Sequence, residues 1–156
     1  LEPVMRRTAV FRIFGRDRIY LMLSFLRECA GRLAPFWLPA NDRGLELAQP
    51  ALAGSSAIVI EPINYEYSLS GSQARKYVEM TTVGGVVIRA AVQGAETLPD
   101  GSERLSLSGA LPVDISAATI DRCGWLELVR MESDEINLHW DAWDCVEMSL
   151  PLVVLP

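Results

Sequence analysis

Between residues 18 and 30, apolar side chains recur at spacings of three and four: Ile19, Met22, Leu23, Leu26 and Ala30. That spacing lays them along one stripe of a helix. Asp17 stands where an N-cap would accept from the free N–H groups of the first turn. Gly31 stands where a left-handed residue would end the helix. Upstream, Val4–Phe14 alternates, with Ala9, Phe11 and Ile13 on one face and Thr8, Val10 and Arg12 on the other, which predicts a strand. Downstream, Pro35-Phe36-Trp37-Leu38-Pro39 brackets three large apolar residues between prolines. Proline cannot donate to a ladder, so this reads as an extended edge or crossing segment clamped over the helix stripe. Helix and clamp together are expected to form a local core.

Asn41-Asp42-Arg43-Gly44 signals a turn, Leu45–Leu47 a short strand, and residues 50–56 a loop. From Ala57 onward the texture is β. Ala57–Glu61 is an apolar run stopped by Pro62, and Ile63–Leu69 places Tyr65 and Tyr67 at strand spacing. Lys76–Val83 and Val86–Gln93 flank Gly84-Gly85, which predicts a two-residue hairpin. On the second arm Val86, Ile88, Ala90 and Val92 share a face. A turn at Pro99–Ser102 leads to Leu105 and Leu107, and 111–122 is irregular with a helical turn expected at 117–121. Trp125–Glu132 (Trp125, Val129 and Met131 on one face) is expected to pair across Ser133-Asp134 with Ile136–Trp140, its Ile136, Leu138 and Trp140 inward. Val146–Leu155 alternates to the end. The expected class is mainly β: an antiparallel sandwich or open barrel of about eight strands with one helix inserted near the N-terminus. One domain is expected over 1–156, with a strand-helix-clamp at 4–40 and a β region at 45–156.

Half of the 156 residues are hydrophobic and 22% are charged, a globular composition. No apolar run approaches the roughly 20 residues that span a bilayer, and the start, at Leu1, has no apolar signal core. Net charge is −6, unevenly placed: residues 1–43 carry eight Arg against four acids, leaving −10 on the remainder. Such a split fits Arg residues solubilising an apolar helix, copies meeting positive face to negative, or nucleic acid on the basic part. The strands, however, carry no basic or aromatic face of the kind nucleic-acid modules present. Cys29, Cys123 and Cys145 have no metal-type spacing, and their odd number argues against a disulfide framework and for a cytosolic origin.

Candidate chemistry is sparse. His139, the only histidine, alternates with Leu138 and Trp140 and is expected to face outward. Cys145 lies near it in sequence, but no third residue is placed to orient a Cys–His pair. Asp134, Glu135, Asp141 and Asp144 could hold Ca²⁺ or act as a glycosidase pair, yet no calcium-loop pattern is present, and acidic loops also serve solubility. Gly84-Gly85 has no phosphate-binding context. No catalytic residue, cofactor or metal is therefore expected. Trp143 is a large aromatic in a polar loop, suited to an interface, to packing under the loop or to stacking on a sugar.

Two segments carry a resemblance. Phe14-Gly15-Arg16 before an apolar helix, then Gly31-Arg32-Leu33 and Pro35-Phe36-Trp37-Leu38-Pro39, resembles small tail proteins of tailed bacteriophages and prophages. The ending Trp125–Trp140 (WLELVRMESDEINLHW), then Glu147–Pro156 (EMSLPLVVLP), is similar to the endings of the same proteins, except that it lacks an acid before its last apolar residue. The loop Asp141–Asp144 also departs from theirs. The resemblance covers about half the chain. It implies a non-enzymatic virion component of the distal tail or baseplate, made in the bacterial cytoplasm and assembled as a symmetric ring with other tail proteins. No nucleic-acid partner and no membrane span are expected, from the missing basic face and the missing long apolar run. Phe36, Trp37, Leu38, Trp143, Leu150, Leu152 and Val154 are the expected partner-interface residues. The other reading is a β-sandwich that binds a receptor or carbohydrate through Trp143 and the acidic loops.

Overall fold

The computed structural model describes residues 5–40, 44–70 and 75–155; the turn expected at 41–44 falls outside these in its first three positions. The chain is mainly β; the described residues form nine strands, a 13-residue α-helix and one π-helical turn. It divides into two compact units, Leu1–Leu38 with Leu128–Pro156, and Pro39–Glu127. Most of the strand-helix-clamp segment thus falls in the same unit as the C-terminal strands.

In the first unit, β1 (Arg6–Phe14) alternates as its sequence does: Ala9, Phe11 and Ile13 are half-buried, Thr8, Val10 and Arg12 exposed. Helix α1 (Arg16–Glu28) begins after Gly15, which takes the N-cap position, so Asp17 lies in the first turn and does not cap. Ile19 and Leu26 are buried. Ala30, not Gly31 alone, turns left-handed past the helix end. Strand β2 (Phe36–Pro39) is the extended clamp, and Phe36 meets Phe25 edge to face at 5.2 Å. β2 pairs with β7 (Ile120–Met131), whose last four residues belong to this unit, and β8 (Asn137–Ala142) follows.

The unit is built around β9 (Cys145–Val154). One side of β9 pairs with β1 along its whole length, Phe14 opposite Cys145 and Arg6 opposite Val153. Its other side pairs first with β8, Asn137 opposite Ser149, and then with β7, Met131 opposite Leu152. The changeover falls at Pro151. Its carbonyl accepts from Glu132 N–H at 2.9 Å, and N and C=O of one strand residue point the same way. The missing N–H therefore falls on the side where partners change, and the ladder to β1 loses nothing, which is how a proline sits in a central strand. β8 pairs with β9, not with Trp125–Glu132 as expected. Trp140 faces the helix side as its alternation demands, but β8 is an edge strand and the cover runs out there. Trp140 is consequently 51% exposed rather than core.

The second unit is an open antiparallel sheet in the order β7-β4-β5-β6-β3, with β3 Ala57–Ile60, β4 Tyr77–Thr82, β5 Val87–Thr97 and β6 Glu103–Leu107. Ile58, Ile60, Val78, Met80, Ile88, Leu105, Ile115 and Trp125 lie in one buried cluster. This cluster is the core of the second unit; in the first, the buried side chains are those of β9 with Ile19 and Leu26 of the helix, and Phe25 of the helix meets Phe36 of the clamp as expected. The β4–β5 hairpin closes as Thr82 N–H to Val86 C=O at 2.9 Å and Gly85 N–H to Thr82 C=O at 2.8 Å. Its loop thus has three residues, Val83–Gly85, with Gly85 at φ +82° supplying the left-handed step that only glycine takes freely. Residues 65–69 form a π-helical turn instead of the expected strand. Asn64 turns left-handed just before it, and burial of Tyr65 decides the outcome. The Tyr65 ring stacks on Trp125 at 5.2 Å and its hydroxyl donates to Arg75 C=O at 2.8 Å, whereas Tyr67 is left in solvent.

Candidate interaction surface

At the end of β1 the chain turns through Gly15, whose N–H donates to Asp144 C=O at 2.8 Å. This bond ties the β8–β9 turn to the β1–α1 corner and brings together residues more than a hundred positions apart. Trp143 stands at the tip, 72% exposed, with the Arg16 guanidinium 5.7 Å above its ring. A cation over an indole face is favourable and holds the ring in place while its other face stays in water. Two shallow grooves meet at Arg16. One, about 430 Å³, runs between Phe14, Arg18, Trp143 and Asp144. The other, about 400 Å³, runs between Tyr20, Leu23 and Trp140. Phe14, Tyr20, Trp140 and Trp143 are all exposed at this corner. Of the four, the sequence points to Trp143 as an exposed loop aromatic, whereas Trp140 is expected in the core. Phe14 and Tyr20 gave a signal too, since each falls off its element's apolar face.

The remaining expected interface residues divide. Leu150, Leu152 and Val154 are buried within the chain, on the alternating positions of β9 whose side chains share one covered face. Phe36 and Leu38 are half-buried, and Trp37 is exposed on β2.

On the open face of the first unit, Arg12, Glu147 and His139 stand in line across β1, β9 and β8. Arg12 reaches Asp141 at 3.1 Å and Glu147 at 3.5 Å, and His139 Nε2 lies 3.3 Å from Asp141 Oδ1. Cys145 Sγ is 3.9 Å from Asp141 Oδ2. The carboxylate therefore touches both thiol and imidazole, and no His139–Cys145 hydrogen bond occurs among the described residues. A base that does not reach its nucleophile cannot activate it. All three cysteines are free and buried. Burial pushes the Cys123 thiol up to about 12, so it stays protonated.

The four acids do not converge. Asp134 accepts from Arg32 N–H at 2.9 Å and meets the Arg32 guanidinium at 3.3 Å, tying the segment after α1 to the one before β8. A Cβ at Gly31 would strike this carboxylate. Among the described residues no group of three His, Cys, Asp or Glu side chains could hold a metal ion. The Arg32 N–H bond first, then the Arg32 charge, hold the Asp134 carboxyl below its usual value. A lowered folded pKa means that the contact is fully present above the unfolded value, about 3.9, and lost as pH falls through the folded one. We expect the difference in melting temperature between the wild type and Asp134→Ala to be constant from pH 7 down to about 4 and to shrink below it. Thermal melts followed by circular dichroism across that range check this, and a difference that persisted unchanged to the lowest pH would refute it.

No helix of the described residues is long and apolar enough to cross a membrane. No protein-family model and no curated protein sequence matches the chain.

Proposed function

We propose that this chain is a structural component of a bacteriophage tail or baseplate, joining its neighbours by protein–protein contact and carrying out no catalysis. The carrying observation is the corner where Phe14, Tyr20, Trp140 and Trp143 are exposed around Arg16. Scattered apolar residues need no explanation, but aromatic side chains gathered at shallow grooves suit a docking surface. The resemblance of the two chain ends to tail proteins supplies the setting: a virion component, assembled with copies of itself and other tail proteins. Mass spectrometry of density-purified particles should then find the chain in the virion. Trp143→Ala should lower its incorporation at least tenfold while the melting temperature changes little, since the Trp143 ring is 72% exposed. Absence of the chain from purified particles would overturn the reading.

A receptor- or carbohydrate-binding module is the second reading, favoured by the two exposed indoles beside Arg16, Asp17 and Asp144. Indole faces stack on sugar rings, and the flanking charged groups bond hydroxyls. Glycan-array binding that disappears in Trp143→Ala would favour this reading over the first.

A further inference from the structure

The first unit presents two strands that pair on one side only. Among the described residues β1 pairs with β9 alone, and so does β8. Met5 C=O accepts from Val154 N–H, so the odd-numbered residues of β1 turn their backbone groups toward β9, and Thr8, Val10 and Arg12 turn theirs outward. By the same alternation, Asn137 and His139 bond β9 while Leu138 points its backbone groups away. Rows of outward N–H and C=O groups are templates for strand addition.

β1 is basic and the segment around β8 acidic, although Arg6 and Arg12 already pair within the chain, with Glu132 and with Asp141 and Glu147. Residues 6–14 hold three Arg and no acid, and residues 134–144 hold four acids and no Lys or Arg. Two β1 edges meeting about a two-fold axis would bring Arg toward Arg, and two β8 edges would bring acid toward acid. The favourable meeting is β1 with β8. The side-chain rows also match. Ile13, Val146 and Trp140 line one face across the three strands, and Arg12, Glu147 and His139 the other. A second β1 beyond β8 would set Ile13 beside Trp140 and Arg12 beside the His139–Asp141 end. The groove between Tyr20, Leu23 and Trp140 lies along that edge.

We propose that copies of this chain join head to tail, the β1 edge of one pairing with the β8 edge of the next. Both strands run antiparallel to β9, so a sheet continued in this way has a parallel pair at the junction. The contact uses different patches on its two sides, which generates a ring if the rotation closes and a filament if it does not. The inference rests on the assembly reading above and names the contact.

The test uses the full chain in sedimentation velocity. The wild type should show a mass that rises with concentration and falls as salt is raised, because the charged edges are screened. Val10→Pro removes an outward N–H from β1 and leaves the β9 ladder whole. Leu138→Pro likewise removes an outward N–H from β8 and leaves its β9 ladder whole. Each variant alone should be monomeric. Mixed, they should form a heterodimer, since Val10→Pro keeps an intact β8 and Leu138→Pro an intact β1. Val10→Glu, at an exposed position, serves as the β1 block should the proline variant fail to fold by circular dichroism. A wild type that stays monomeric at high micromolar concentration, or mixed variants that do not associate, overturns the contact. Particle mass spectrometry separates this from failure of the assembly reading: a monomer found in virions sinks only the edge pairing, and a self-associating chain absent from virions sinks only the tail assignment.

Discussion

A chain truncated after Leu150 is expected to lose the fold of its first unit. The deletion removes fully buried Leu152 with Val153 and Val154, together with the strand that bridges β1 and β7. Val154 N–H to Met5 C=O, Leu155 N–H to Leu128 C=O and Glu132 N–H to Pro151 C=O are all lost, leaving the start of β1 and the end of β7 without partners. Unpaired backbone groups in a buried setting cost about 1–3 kcal/mol each, and the lost apolar burial adds to this. A milder version separates packing from pairing. Leu152→Ala keeps the ladder and should cost about 2–5 kcal/mol, as cavity-forming substitutions do. Urea titration followed by far-UV circular dichroism reads both. A truncated chain that unfolds cooperatively at the wild-type midpoint would show that β9 does not organise the unit.

The second large effect lies in the other unit. Trp125→Ala should destabilise it by about 3–5 kcal/mol, the range for truncating a buried large aromatic. Trp125 is 3% exposed and lies parallel to Tyr65, 10° between ring planes. The stacked pair is worth about 0.5–1.5 kcal/mol beyond its area, so a double-mutant cycle with Tyr65→Ala should return a coupling of that size. Tyr65→Phe should cost only about 1 kcal/mol, for the bond to Arg75 C=O. Circular dichroism is the better probe, because the substitution removes a fluorophore. A Trp125→Ala loss below about 1 kcal/mol would mean that the ring fills no essential space.

The Tyr65 turn also shows where local pattern stops being decisive. Tyr65 and Tyr67 at strand spacing read as β, yet one ring is drawn onto Trp125, sixty residues away, and the other is left in water. Where alternation is sustained, it reads correctly. The faces of β1, the buried Ile88, Ala90 and Val92 of β5, the outward His139 and the helix stripe at Ile19 and Leu26 all follow from period alone. Pro62 ends a strand and Gly85 completes a turn through backbone chemistry that belongs to single residues.

Period tells which face a side chain takes within its own strand, and says nothing about which strand lies beside it. Val146–Leu155 could have been a sticky edge or a covered centre on pattern alone. Its place between β1 on one side and β8 then β7 on the other was set by pairing over some 140 residues, as was the exposure of Trp140 on the short outer strand. The aromatic corner around Arg16 arises in the same way, from one backbone bond between Gly15 and Asp144. The amino-acid order by itself determined the β class, the single long helix, the turn chemistry and the inward faces, because sterics and solvent act on near neighbours. Only the tertiary structure decided strand partners, the seat of the cores and which aromatics remain in water, because those depend on contacts between segments that chain-local preference cannot distinguish.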